Sequence, residues 1–159
     1  MRTNSSFLKP ENPRVLVIGG SGRLGCLLRR AWRGGASEAP ELLWQARRET
    51  DFATLGGPSI VFDPLEMADE FRAAARAADV VVQLAGVVSG SEAELARNTD
   101  LALAALRAAA GKPVLLASSA AVYGTPVGGR PCAEDDSPAP AAPYGAAKAA
   151  MEAAVAGLP

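Results

Sequence analysis

The stretch PYGAAK places Tyr144 and Lys148 four residues apart near the C-terminal end of the sequence. On a helix, that spacing brings two side chains to one face, one turn apart. A free phenol, with a pKa of about 10, is a poor base at neutral pH, and a nearby ammonium favours its phenolate. Such a pair can exchange a proton with a substrate hydroxyl or carbonyl. A second stretch, SSAAVYG, offers the hydroxyls of Ser118 and Ser119 to the same oxygen. A third, VIGGSGRLG, sets Gly19, Gly22 and Gly25 at three-residue spacing where an apolar run gives way to a helical pattern. Residues without Cβ let the chain turn tightly there and approach a pyrophosphate, which the free N–H groups of the helix start would bind. Each signal alone has a plainer reading: a tight turn without a ligand, or an exposed tyrosine and a solvated lysine on an alanine-rich helix. Their joint occurrence, in this order, favours one site.

A site of this kind needs a frame, and the sequence alternates in the way that supplies one. RVLVIGG, ELLWQA, SIVFD, DVVVQLAG and KPVLLASS read as five strands without polar alternation, as expected of a sheet covered on both faces. Helical patterns lie between them: GRLGCLLRRAWRG, LEMADEFRAAARAA, and SEAELARNTDLALAALRAAA, where Ser91 and Glu94 form a capping box. A Pro/Gly-rich loop over residues 120–142 leads to a last helix starting near Pro143. Strand and helix in repetition mean parallel strands with right-handed crossovers. The fold class expected is α/β, a Rossmann-type doubly wound parallel sheet of order 3-2-1-4-5, over residues 14–159, behind a disordered lead-in at residues 1–13.

In such a fold the residue after the second strand reads the adenosine ribose. Gln45 and Ala46 stand there, followed by Arg47 and Arg48. Two guanidinium groups can clamp a 2′-phosphate, so NADP is favoured over NAD. Glu49 and Asp51, close by, keep NAD open, and a pair of solvated surface arginines is the plainer reading. The nicotinamide would carry hydride while the protein positions it.

Composition excludes several other chemistries. The 159 residues contain no histidine, which removes Ser-His-Asp triads and histidine-ligated metals, and no metal site is expected. The net charge is −1 with both signs interspersed, so nucleic acid is not an expected partner. Cys26 and Cys132 form no CxxC pair, which suits a reducing compartment. The longest apolar run, VVVQLAGVV, is too short to span a bilayer, and the N-terminus has no signal-peptide core. These features lead to the expectation of a soluble, cytoplasmic protein.

The stretches GGSGRLG, FDPL, QLAGV, SSAAVYG and PYGAAK together resemble the extended short-chain dehydrogenase/reductases, the NAD(P)-dependent epimerase/dehydratase family that includes the sugar-nucleotide 4-epimerases. The resemblance implies that Gly19, Gly22 and Gly25 line the pyrophosphate, with backbone amides from Arg23 and Leu24. It implies that Asp63 bonds the adenine amino group, against a plainer reading as a loop cap before Pro64. Leu84, Ala85 and Gly86 match the segment under the cofactor, and Asn98 the family asparagine on the following helix. Ser119 corresponds to the catalytic serine or threonine, Tyr144 to the acid/base, and Lys148 to its partner, which also bonds the nicotinamide ribose. Tyr123 reads as a packing residue near the substrate mouth, and Glu134 as a substrate contact. The resemblance further implies a small-molecule substrate such as a sugar nucleotide, and a homodimer through the helices of Asn98 and Tyr144. Gln83 departs from the histidine of many members. Members are also longer, so the later strands and the substrate region are expected to be missing here, leaving the fifth strand as an uncovered edge. The rival reading is a module that binds NAD(P) without turnover, or an inactive shortened product.

Overall fold

The computed structural model describes residues 12–32, 40–49, 57–125, 128 and 130–158. Residues 1–11 of the expected lead-in, and Asp51, lie outside the described residues. Five strands, β1 (Arg14–Ile18), β2 (Glu41–Ala46), β3 (Ser59–Val61), β4 (Val80–Gln83) and β5 (Val114–Leu116), form one sheet in the order β3-β2-β1-β4-β5. Every pairing is parallel, and the register runs from Val15 opposite Leu42 on one side to Val15 opposite Val80 on the other. The helices are α1 (Arg23–Trp32), α2 (Ala68–Ala77), α3 (Glu92–Ala109) and α4 (Pro143–Ala156), with a 3-10 turn at Ala120–Tyr123. Order and element types are those expected from the sequence.

β1 is central, and its Leu16, Val17 and Ile18 have no exposure at all. Leu16 and Ile18, with Val81 of β4, meet Phe71, Ala74 and Ala75 of α2 and Ala105, Ala108 and Ala109 of α3. Alanines at helical spacing give α3 a small apolar stripe, so it lies close to the sheet. The Phe62 and Phe71 rings add a tilted pair with centroids 5.2 Å apart, a geometry aromatic quadrupoles favour. On β2, the buried Trp44 lies 5.7 Å from the Arg29 guanidinium of α1, which ties that helix to the sheet by a cation–π contact. α3 packs in turn on both α2 and α4.

Side chains satisfy two of the helix ends. The Ser91 hydroxyl accepts from the Glu94 N–H at 3.3 Å and the Glu94 carboxylate accepts from the Ser91 N–H at 2.8 Å, completing the expected capping box of α3. At the other end of α2, the Lys112 ammonium donates to the carbonyls of Ala75, Arg76 and Ala78 at 3.1, 2.7 and 2.5 Å. The end of a helix leaves its last carbonyls short of partners, and among the described residues only that of Ala75 has a second donor here, the Ala78 N–H at 3.2 Å.

One buried side chain joins two loops to a strand. Gln45, 1% exposed, accepts from the Gly19 N–H at 2.9 Å and donates to the Phe62 carbonyl at 2.5 Å. Its own carbonyl accepts from the Gly20 N–H at 2.8 Å. The turn after β1 and the exit of β3 are thereby fixed to β2. Gln45→Leu strands two buried backbone groups and should cost about 3 kcal/mol in urea unfolding; a loss below about 1 kcal/mol would mean that these groups find other partners. Lys112→Met should cost about 2 kcal/mol in the same assay through the three carbonyls it releases.

Candidate functional site

The C-terminal ends of all five strands open on one cleft of about 400 Å³, the size of a small-molecule site and the place where open α/β sheets bind ligands. The turn after β1 forms one wall. Gly19 has a φ of +82°, and a Cβ on it would stand 2.7 Å from the Ala85 nitrogen. Gly25 is buried behind the cleft rather than lining it: a Cβ there would meet the Gly19 and Gly20 carbonyl oxygens at 2.5 Å. Its smallness lets α1 start directly on the turn. Gly22, Arg23 and Leu24 do line the cleft, and the first turn of α1 carries no acidic residue, so its N–H groups and positive dipole end stay available to an anion.

At the end of β2 the side chains divide. Gln45 is turned inward as a strut, Ala46 is buried at the wall, and Arg47 is exposed and lines the cleft. Arg48 is exposed and is not among the lining residues. Asp63, after β3, lines the cleft while one of its carboxylate oxygens accepts from the Leu65 N–H at 2.9 Å. Asp63 therefore caps its own turn and also stands in the cleft lining.

The segment after β4, Leu84, Ala85 and Gly86, forms the floor. Asn98 lies beneath it, 2% exposed, and does not line the cleft. Its amide donates to the Val87 and Leu95 carbonyls at 2.9 and 2.8 Å and accepts from the Val87 N–H at 3.2 Å. Asn98 thus clamps the floor to α3, and a Cβ on Gly86 would come within 2.8 Å of its oxygen. Gln83 is also turned inward: its side-chain oxygen accepts from the Ala85 N–H at 3.2 Å, and its buried amide nitrogen has no partner among the described residues. Its departure from histidine therefore changes the support under the floor and not the lining.

At the far end, Tyr144 and Lys148 both line the cleft from α4, as their spacing predicts. Lys148 is 5% exposed and donates to the Ala117 carbonyl at 2.9 Å. Burial pushes its ammonium below the usual lysine range, and the Glu152 carboxylate one turn on opposes that shift. Of the two serines after β5, Ser118 lines the cleft, whereas the Ser119 hydroxyl accepts from the Ala121 N–H at 3.2 Å and caps the 3-10 turn. Tyr123 and the loop bearing Arg130, Cys132 and Asp136 surround a separate, smaller hollow.

The sequence reading missed two lining residues on α3, Arg97 and Leu101, which are one turn apart. Their i,i+4 spacing and their position beside Asn98 were the available signal. With Arg97, the lining carries four cations, Arg23, Arg47, Arg97 and Lys148, against one carboxylate, Asp63. A glycine cradle that a Cβ would fill, a bare helix N-terminus and this charge balance fit a phosphate-rich dinucleotide. Among the described residues no cluster of His, Cys, Asp or Glu could hold a metal ion, and no helix is long and apolar enough to cross a membrane.

No curated protein matches the chain. Solved structures do. An epimerase candidate from Burkholderia cenocepacia J2315 aligns at a TM-score of 0.73 and 30% identity, over 92% of this chain and 50% of its own. A short-chain dehydrogenase/reductase superfamily protein from Agrobacterium tumefaciens with bound NAD aligns at 0.72 and 26%, over 89% and 44%. The ADP-L-glycero-D-manno-heptose-6-epimerase of Helicobacter pylori aligns at 0.73 and 25%, over 92% and 51%. The chain spans about half the length of these proteins. The model of the NAD dependent epimerase/dehydratase family matches residues 15–158, nearly the whole sheet and all four helices, and the chain belongs to that family.

Proposed function

We propose that the chain supplies the cofactor-binding and proton-transferring part of an NAD(P)-dependent epimerase, dehydratase or reductase acting on a hydroxyl or carbonyl of a sugar nucleotide or similar small molecule. The observation that carries this reading is the single cleft with the bare start of α1 at one end and Tyr144 with Lys148 at the other. The Agrobacterium protein's bound NAD and the Helicobacter protein's nucleotide-linked sugar substrate support the cofactor and substrate classes.

In this reading the backbone amides of Arg23 and Leu24 hold the pyrophosphate beside Gly22, helped by the α1 dipole. Asp63 takes the adenine amino group, and Leu84–Gly86 pass beneath the ribose and phosphates. Arg47 takes a 2′-phosphate, which favours NADP, with Arg48 as its neighbour. Bound nicotinamide supplies hydride transfer. The chain's own residues do the proton chemistry. The Tyr144 hydroxyl gives or takes the proton of the substrate oxygen, and the Lys148 ammonium stabilises negative charge on the tyrosine oxygen. Lys148 also donates to the nicotinamide ribose. By the resemblance Ser119 is the serine that holds the substrate oxygen, with Ser118 beside it lining the cleft.

Calorimetric titration with NADP and then NAD tests the cofactor half. Micromolar binding of either is expected, and binding of neither would sink the reading. Replacing Arg47 and Arg48 together with alanine should bring the NADP-to-NAD affinity ratio close to one; an unchanged ratio would remove the 2′-phosphate role. Tyr144→Phe, assayed by oxidation or epimerisation of UDP-sugars, should lower turnover by about 10²-fold or more while leaving cofactor affinity intact. Retained turnover would remove Tyr144 from the proton chemistry, and no turnover by the unsubstituted chain would leave the reading of a binding module without catalysis.

A further inference from the structure

Two consecutive residues at the end of β5 are tied to two consecutive turns of α4. The Ala117 carbonyl accepts from the Lys148 ammonium at 2.9 Å, and the Ser118 hydroxyl donates to the Glu152 carboxylate. Lys148 and Glu152 are four apart on one helix, so their side chains share a face. Ser118 lines the cleft. The described lining and the proposed chemistry both leave Glu152 without a task, although it is hydrogen-bonded to one cleft residue and adjacent to another.

We propose that Glu152 is a positioning residue of the site: through Ser118 its carboxylate is anchored beside the buried Lys148 ammonium, and it keeps that ammonium charged and directed into the cleft. The inference rests on the proposed role of Lys148 as the cationic partner of Tyr144.

The surroundings of Lys148 leave this task to Glu152. β5 presents the Ala117 carbonyl and the Ser118 hydroxyl, both uncharged. α3 presents Asn98, which is uncharged and lies with Lys148 against Gly86, and Arg97, a cation lining the same cleft. On α4 itself Met151 gives a sulfur contact at 3.7 Å and Tyr144 a phenol. Arg23 and Arg47 across the cleft add like charge, and Asp63 stands among them at the exit of β3. A 5% exposed ammonium in that company would lose its proton easily. The Glu152 charge acts in the opposite direction to burial on this group.

The test reads the protonation of Lys148 directly, without turnover. With 13C-labelled lysine, the sequence gives three side-chain signals, from Lys9, Lys112 and Lys148, and Lys148→Arg assigns the third. In Glu152→Gln, which keeps an acceptor for Ser118 and removes the charge, the Lys148 signal should titrate about one pH unit lower than in the unsubstituted protein. Glu152→Asp should restore most of that shift, which a purely structural role would not do. Ser118→Ala, which releases the carboxylate towards solvent, should move Lys148 in the same direction by a smaller amount. It serves as the test on its own if Glu152→Gln does not fold. A Lys148 titration unchanged in both Glu152→Gln and Ser118→Ala overturns the inference. Failure of NADP and NAD to bind in calorimetry would instead sink the cofactor reading and leave the lysine titration intact as a separate result.

Discussion

The buried amide of Gln45 is the contact on which the cleft depends. A parallel sheet delivers its strand ends to one rim but does not fix the loops beyond them. Here one side chain accepts from the Gly19 N–H and donates to the Phe62 carbonyl, while its backbone holds Gly20. The glycine turn that would face a pyrophosphate and the β3 exit bearing Asp63 are thereby referenced to the same point on β2. Both partners are backbone groups, so the amide satisfies them where solvent cannot, and a buried group left unpaired would cost more than the bond gains. Asn98 does the equivalent work under the floor, exchanging hydrogen bonds with both backbone groups of Val87.

The other end of the cleft is governed by charge rather than by amide geometry. Lys148 is buried, held by a strand-end carbonyl and pulled in opposite directions by desolvation and by Glu152. Four cations line a space with one carboxylate, a balance that favours a ligand rich in negative charge. Alanine-rich packing of α3 on α4 brings this arrangement close to the floor.

Much of this was legible in the sequence because it is local. Unbroken apolar runs marked the buried strands, the Ser91–Glu94 pair marked the start of α3, and YxxxK spacing placed two side chains on one face of α4. The glycine turn could be read because only residues lacking Cβ fit there. The division of neighbouring residues between cleft and interior was not legible. Gln45 and Arg47 are two apart, yet one is a strut and the other a rim cation. Ser118 and Ser119 are adjacent, yet the first faces the cleft and the second caps a turn. These outcomes depend on which way a strand end twists against its neighbours, and no periodicity in one stretch records that. Arg97 escaped for the same reason, since its face of α3 is defined by the floor segment it meets.

The clamp made by Asn98 has an evolutionary corollary. A strand end normally needs another strand to satisfy its backbone, but here a single side chain does so for Val87 from below. The segment of Leu84, Ala85 and Gly86 lines the cleft above that clamp, as the glycine turn does on the opposite wall. A surface read mainly through peptide groups is encoded in conformation rather than in side-chain identity. Substitutions that preserve the turn and the two inward-facing amides are invisible to whatever lies on it. Such a site tolerates extensive sequence drift, while a change at Gln45 or Asn98, whose amides are spent on backbone groups, would be among the least tolerated in the chain.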